Sequence, residues 1–373
     1  MEHEFTKTIK NVLRDIFGSK SELIYSLSPI LQYLNLKTRS ANRGSKSRSA
    51  YGNLYAIYVL VEDYLQKGFD TNNAYNLYEG CKFSELLKRQ RELPFGEKLQ
   101  NHALNHRLNQ EFKKWFPTCD SLPVIRETST KKYWFNENLL ICTIEGKNYN
   151  LAQSIIQIID EYITSKTNAF EKFINSCERI SKLAEADRKE AVDFIVKLLE
   201  PNVDARLFEI VSYSILKYYY HDRTVFFGFQ LNDIQEETLK LYKTGRTNAN
   251  DGGIDFVMKP LGRFFQVSET TDVKKYFFDI DKIEKYPITF VIKSTKTPEQ
   301  LITEIRKKAE KQYFINANVE RYMSCIEEII NLQILIERFD EAVKKGYLNN
   351  VLKEVIRQSK VEFNYDLESE KEN

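Results

Sequence analysis

Near the amino terminus, apolar positions fall at helical spacing: Leu23, Ile24, Leu27, Ile30, Leu31 and Leu34 share one face, and residues 54–65 carry a second apolar run. The pattern predicts helices from residue 21 to about 68, separated by a polar, basic loop. Another helix is expected over residues 96–116, ended by Pro117. Residues 131–149 change character: Tyr-Trp-Phe, an Asn-Glu-Asn turn, Leu-Leu-Ile-Cys-Thr-Ile and Glu-Gly-Lys-Asn read together as a hairpin. Helical periodicity returns over residues 151–199 and breaks at Pro201, just before an apolar helix expected at 203–220. Elements then alternate: strands near 225–230, 254–259 and 263–268, a helix near 272–285, and a strand at 288–294. From 298 to 360 the spacing is helical again, with Ile302 and Ile305, then Ile326, Ile330 and Ile334, expected on an apolar face. No internal repeat is visible.

A chain of 373 residues, 42% of them hydrophobic, exceeds what one average domain needs, so two domains or one elaborated domain are expected. Pro201 marks one plausible joint; the change of pattern near residue 150 divides a helical part with a small hairpin, residues 1–150, from residues 151–373. The net charge of +2 hides a sorted distribution: Lys37, Arg39, Arg43, Lys46 and Arg48 stand together without an acid, while the tail after Glu362 is acidic. Five widely spaced cysteines form no Cys-x-x-Cys pair, which fits a reduced, cytoplasmic protein without a cysteine zinc cage. The charged start Met-Glu-His-Glu does not read as a signal peptide, and the apolar run 54–61 is too short to cross a bilayer. Neither a Gly-x-x-x-x-Gly-Lys-Ser/Thr loop nor a Gly-x-Gly-x-x-Gly motif is present, so nucleotide hydrolysis and dinucleotide binding have no sequence handle.

The candidate chemistry lies in residues 252–269. Two short apolar strands joined by Pro260-Leu261-Gly262 bring Asp255 and Gln266 to adjoining positions, and the carbonyl of Val267 offers a further oxygen. Phosphodiester hydrolysis needs a divalent ion held at short range by such oxygen ligands. Upstream, Glu209 lies in an apolar helix pattern where a carboxylate needs a partner or a task. The glycine-rich approach to Asp255, with Arg246, Asn248 and Asn250, would let a DNA backbone come close.

In this order of helix Glu, strand Asp and strand Gln, the chain resembles the PD-(D/E)XK nuclease superfamily, specifically type II restriction endonucleases in which Gln replaces the second acid. The resemblance implies an α+β fold with an αβββαβ core, followed here by helices; the helices and hairpin of residues 1–150 suit a winged-helix-like DNA-recognition region. By it, Glu209 matches the glutamate of the first core helix, Asp255 the metal-binding aspartate and Gln266 the D/E position, with Val267 completing a Mg2+ site. The family's lysine two residues later is replaced by Ser268. Lys259, at strand spacing from Asp255, Lys293, and Lys274 or Lys275 are candidate substitutes, and Glu269 is a candidate extra ligand. The implied activity is Mg2+-dependent cutting of double-stranded DNA at a short specific sequence, leaving 5′-phosphate ends. A homodimer and a companion DNA methyltransferase are implied with it.

Outside the motif, Arg39, Arg43, Lys46 and Arg48 suit phosphate or guanine contact, and Asn101, Asn105 and Arg107, with Asn109, form a stripe able to read base edges. Solvated faces are the plain alternative for both. His102 and His106 lack a third zinc ligand, and the tyrosines at 213 and 218–220, with Phe226 to Phe229, suit core and interface more than base stacking. Two other classes stay open: a DNA-binding protein that keeps the nuclease fold without activity, as Ser268 would explain, and a helical interaction module.

Overall fold

The apolar run Leu54–Val61 dictates the centre of the first unit, because a helix hydrophobic on every side must be surrounded. In the computed structural model this run is buried throughout, inside a helix of 20 residues. Described residues are 2–39, 47–71, 74–97, 99–183, 187–201, 203, 205–244, 254–313 and 316–363, with side chains described for all of these but 47–50, 183, 316 and 363. They form a mixed α+β chain that divides into two units, residues 1–172 and 173–373. Among them no helix is long and apolar enough to cross a membrane.

The first unit contains helices α1 (Thr6–Phe17), α2 (Ser21–Leu27), α3 (Pro29–Thr38), α4 (Ser47–Gln66), α5 (Phe83–Glu92) and α6 (Leu108–Trp115), and the start of α7 (Ala152–Leu183). The Ser28 hydroxyl caps α3 by accepting the Leu31 N–H at 3.3 Å, with Pro29 in the first turn. Strands β1 (Cys81–Lys82), β2 (Val124–Glu127) and β3 (Lys132–Phe135) form a sheet in the order β1-β3-β2, while β4 (Ile141–Ile144) and β5 (Lys147–Asn150) pair separately. Residues 131–149 are therefore not one hairpin. The Asn136 side chain accepts the Asn138 N–H at 3.1 Å, closing a 3-10 turn that carries the chain to a second hairpin. That hairpin closes through Glu145 and Gly146, both at positive φ (53° and 76°), as a two-residue turn with matched twist requires. The helix expected over 96–116 is shorter, opening with a π turn at Ala103–Arg107.

The second unit holds α8 (Arg188–Lys197), α9 (Ala205–Tyr219), β6 (Thr224–Phe227), β7 (Gln235–Thr238), β8 (Lys240–Lys243), β9 (Phe256–Lys259), β10 (Arg263–Ser268) and α10 (Val273–Lys282). It continues with β11 (Ile288–Ile292), α11 (Pro298–Gln312), α12 (Asn316–Met323), β12 (Ile326–Ile330), α13 (Leu332–Lys344) and α14 (Leu348–Phe363). Five strands form one sheet in the order β12-β11-β10-β9-β8; β8, β9 and β10 are an antiparallel meander, and β11 and β12 add on in parallel. All five residues of β11 are buried, the signature of a strand covered on both faces. Val291 joins one core, with Phe208, Phe256, Phe265, Val267 and Phe339; Phe290 and Ile292 join a second, with Tyr276 and Leu301, as side-chain alternation requires.

Two expectations are corrected here. The strand foreseen near 225–230 is β6, which pairs with β7 in a separate hairpin, and Phe226 stands 78% exposed; the meander's first strand is β8. Leu241 is the one hydrophobic residue that β8 buries, too little to advertise it. Ile326 and Ile330 lie on β12, not on a helix. Their spacing of four satisfies either period, and the β-branched Ile-Glu-Glu-Ile-Ile segment follows the strand preference when β11 offers an edge.

The Phe290 ring stacks on Tyr276 with centroids 4.2 Å apart. Phe290→Ala is expected to lower the unfolding free energy by about 3–5 kcal/mol in urea titration, and Phe290→Leu by clearly less. Equal small losses from both would contradict this packing.

Candidate functional site

Glu209 lies in the second turn of α9 and is buried. Its carboxylate meets Lys243, the last residue of β8, with Nζ 2.8 Å from Oε1 and the two side chains 8% and 11% exposed. The Tyr213 hydroxyl, one helical turn on from Glu209, donates to the Leu241 carbonyl at 3.2 Å and ties β8 to α9. Beyond the strand, the Thr244 N–H donates to the Asp255 carbonyl at 3.1 Å. Asp255 is thus joined to β8 by its backbone.

Ladder register pairs Phe256 with Phe265, so its continuation would set Asp255 opposite Gln266. The chain departs from it: the Asp255 N–H donates to the Phe265 carbonyl at 3.0 Å, and the Asp255 carboxylate accepts the Val267 N–H at 2.7 Å. A side chain has replaced a ladder carbonyl. Burial raises the Asp255 carboxyl well above the usual carboxylate range, and the charge of Glu209 raises it further; the Val267 N–H, Lys275 and Lys243 oppose the rise. Asp255 and Glu209 therefore repel one another in a poorly solvated region, where Lys243 pairs with Glu209.

Gln266 is 5% exposed. Its Nε2 makes only a long contact, 3.4 Å, with the Val267 carbonyl, and its Oε1 has no hydrogen-bond partner among the described residues. A buried amide oxygen without a donor costs about 1–3 kcal/mol, which a ligand would recover. Exchanging amide N and O by a half-turn would set that oxygen beside the Val267 carbonyl, since the two orientations are isosteric. The donor set of Asp255, Glu209, the Gln266 amide and the Val267 carbonyl contains oxygen alone, which suits Mg2+, Mn2+ or Ca2+ rather than zinc. No group of three or more His, Cys, Asp or Glu side chains able to hold a metal occurs among the described residues, so amide and carbonyl oxygens are needed to complete the set.

The other residues proposed for the chemistry lie elsewhere. Lys259 is exposed at the far end of β9, its Nζ 5.3 Å from the centre of the Tyr242 ring. Four residues of strand put it about 13 Å along from Asp255, so it is not brought to the site. The Lys293 side chain is 4% exposed and held by the Val203 carbonyl at 2.6 Å and by Glu269 at 3.2 Å. Glu269 is accordingly an ion-pair partner. Both line a cleft of about 450 Å³ with Thr271, Lys296, Glu304 and Lys308, where Glu304 pairs with both of these lysines. The Ser268 hydroxyl donates to the Thr270 carbonyl at 2.8 Å and fixes the turn into α10. On that helix Lys274 and Lys275 are exposed, and Lys275 lies within electrostatic reach of Asp255.

In the first unit, side chains of the polar stripe are hydrogen-bonded within the protein. Asn105 accepts the Tyr133 hydroxyl at 2.9 Å, Arg107 donates to Asn53 at 3.2 Å, and Asn109 both donates to and accepts from the Val124 backbone, at 2.7 and 2.9 Å. Asn101 gives its carbonyl to the Asn105 N–H, and His102 and His106 meet edge to face at 5.8 Å. Lys37 belongs to α3, buried, with its ammonium 2.8 Å from Glu111. Arg39 caps that helix and is exposed. Arg43, Lys46, Arg246, Asn248 and Asn250 lie outside the described residues, as does the Arg48 side chain. Sequence reading missed Lys243; its signal was a lysine closing a short alternating segment just before the glycine-rich approach to Asp255.

Comparison of the chain with protein-family models, with curated proteins and with solved structures gives no match.

Asn109→Ala is expected to remove about 2 kcal/mol of stability, because it strands the Val124 backbone groups, while leaving DNA affinity of the folded protein unchanged in a gel-shift titration. Loss of DNA binding at full stability would return the stripe to an interface.

Proposed function

We propose that this protein is a Mg2+-dependent nuclease that hydrolyses phosphodiester bonds in double-stranded DNA at a short specific sequence, in the manner of type II restriction endonucleases. One observation carries the reading: the Asp255 carboxylate is clamped by the Val267 N–H at 2.7 Å while Glu209 bears on it and the neighbouring Gln266 keeps a buried oxygen without a partner among the described residues. A packing cluster has no use for such an arrangement, whereas a site for a hard cation needs it. The order α9, antiparallel β8–β9–β10, α10 and parallel β11 agrees with the PD-(D/E)XK core and supports the same reading.

Asp255, Gln266, the Val267 carbonyl and Glu209 would hold the ion. Bound there, Mg2+ supplies Lewis acidity toward a phosphate oxygen. The chain's own part is to fix the ligands in advance: the Val267 N–H orients Asp255, and the rigid β10 backbone carries Gln266 and the Val267 carbonyl side by side. Ser268 favours a second reading, a DNA-binding protein without cleavage, because its hydroxyl is engaged in the Thr270 turn and brings no charge.

Incubating plasmid DNA with the purified protein in Mg2+ and then in EDTA separates the two. Discrete fragments that need the metal are expected, and Asp255→Ala should lower the cutting rate by at least about a hundredfold while retaining a gel shift. A gel shift with intact plasmid would support the second reading; unchanged cutting by Asp255→Ala would remove the site.

A further inference from the structure

The β6–β7 hairpin has one shielded edge and one bare edge. The Leu239 N–H donates to the Arg223 carbonyl at 2.8 Å, so Val225 with Glu237 and Phe227 with Gln235 are the bonded pairs of this antiparallel ladder. The N–H and C=O groups of Thr224 and Phe226 therefore point away from β7, and they have no backbone hydrogen bond among the described residues. Sheets shield such an edge with charge or proline. Glu236 and Glu237 shield β7, whereas β6, Thr-Val-Phe-Phe, carries neither device. Apolar side chains gather on the same hairpin: Phe226 is 78% exposed, Phe229 92% and Leu231 88%. The tip that bears them is firmly built. Leu231–Asp233 is a 3-10 turn, Phe227 and Phe229 meet edge to face at 5.6 Å, and a Cβ on Gly228 would sit 2.6 Å from the Asp233 carbonyl oxygen. A two-stranded hairpin with every residue of one strand exposed is marginal in water and gains from a further strand.

We propose that a second copy of this chain docks on this edge, its β6 antiparallel to the first across a two-fold axis, so that the two hairpins form one four-stranded sheet in the order β7-β6-β6-β7. Thr224 of each copy stands opposite Phe226 of the other, and their outward backbone groups satisfy one another. The two strands bring no charge to the seam, and the acids stay on the outer strands; pairing through β7 would set Glu236 and Glu237 against their own copies. Area agrees with a dimer. At about 150–250 Å² per aromatic, Phe226 and Phe229 alone present roughly 300 Å², and with Leu231 and Ile234 the hairpin offers about half of the ~800 Å² per partner that a stable interface buries. DNA suits this surface poorly, because residues 224–238 include Asp233, Glu236 and Glu237 and no lysine or arginine. The hairpin also enters β8 at Lys240, which pairs with Lys259 at the end of the sheet away from Asp255. Nothing in this pairing depends on the nuclease reading.

Sedimentation of the full chain at micromolar concentration is expected to show a reversible dimer. Phe226→Glu, which brings a carboxylate to the seam by changing an exposed residue, should weaken that dimer at least about tenfold and leave the urea midpoint of the monomer unchanged. A wild type that stays monomeric, or a Phe226→Glu dimer as tight as wild type, overturns the inference. So does a monomeric wild type whose DNA gel shift is lost in Phe226→Glu, which would make the hairpin a DNA contact. Should Phe226→Glu not fold, amide hydrogen exchange of the wild type over a dilution series gives the answer. The Thr224 and Phe226 amides must lose protection as the protein is diluted, while those of Val225 and Phe227, bonded to β7, change less; exchange at Thr224 and Phe226 that ignores concentration overturns the pairing.

Discussion

A carboxylate held out of water needs its counter-charge inside the protein, and the second unit is organised around that need at Asp255. The Val267 N–H at 2.7 Å satisfies one oxygen of this group but carries no full charge, and Glu209 adds a like charge nearby. Burying two such groups is unfavourable unless a cation joins them. The surrounding elements hold the pair in place all the same. Tyr213 ties α9 to β8, Thr244 ties β8 to Asp255, and the Phe265 carbonyl ties Asp255 to β10. Strands filled by Phe256, Phe265 and Val267 pack against α9, so neither carboxylate escapes by a shift of its element. Rigid packing preserves an electrostatic strain that a loose fold would relax.

That strain separates a site from an ordinary surface ion pair. Glu304 offers the contrast within the same unit: its hydrogen bonds from Lys296, Lys308 and Thr271 bring its carboxyl down to about 2. There the acid has more donors than it needs, and the cleft beside it is balanced. At Asp255 the shift runs the other way, with burial as its first cause. The two acids thus differ in what governs them: lysine donors at Glu304, burial at Asp255.

Much of this candidate site was legible in the sequence, and the reasons are local. Asp255 and Gln266 stand on two short apolar segments around a Pro-Leu-Gly turn, so strand pairing alone brings them near one another. Glu209 was conspicuous as a carboxylate within a run of apolar helix positions. Lys243 was not, because it closes a strand of four residues that buries a single hydrophobic side chain and so carries almost no periodic signal. In β12 the spacing of Ile326 and Ile330 satisfied helix and strand alike, and only the free edge of β11 decides between them. The stripe from Asn101 to Asn109 looked like a reading surface because polar side chains at helical spacing reveal nothing of their partners. Tyr133, Asn53 and Val124, distant in sequence, are those partners.

The most direct measurement is anomalous scattering from crystals of the full chain grown or soaked in Mn2+. The account requires a manganese peak coordinated by an Asp255 carboxylate oxygen, the Gln266 side-chain oxygen and the Val267 carbonyl, with the Gln266 amide turned so that its oxygen faces the metal. A well-ordered site showing no manganese there, with Gln266 Oε1 still unpaired or facing away, would contradict it.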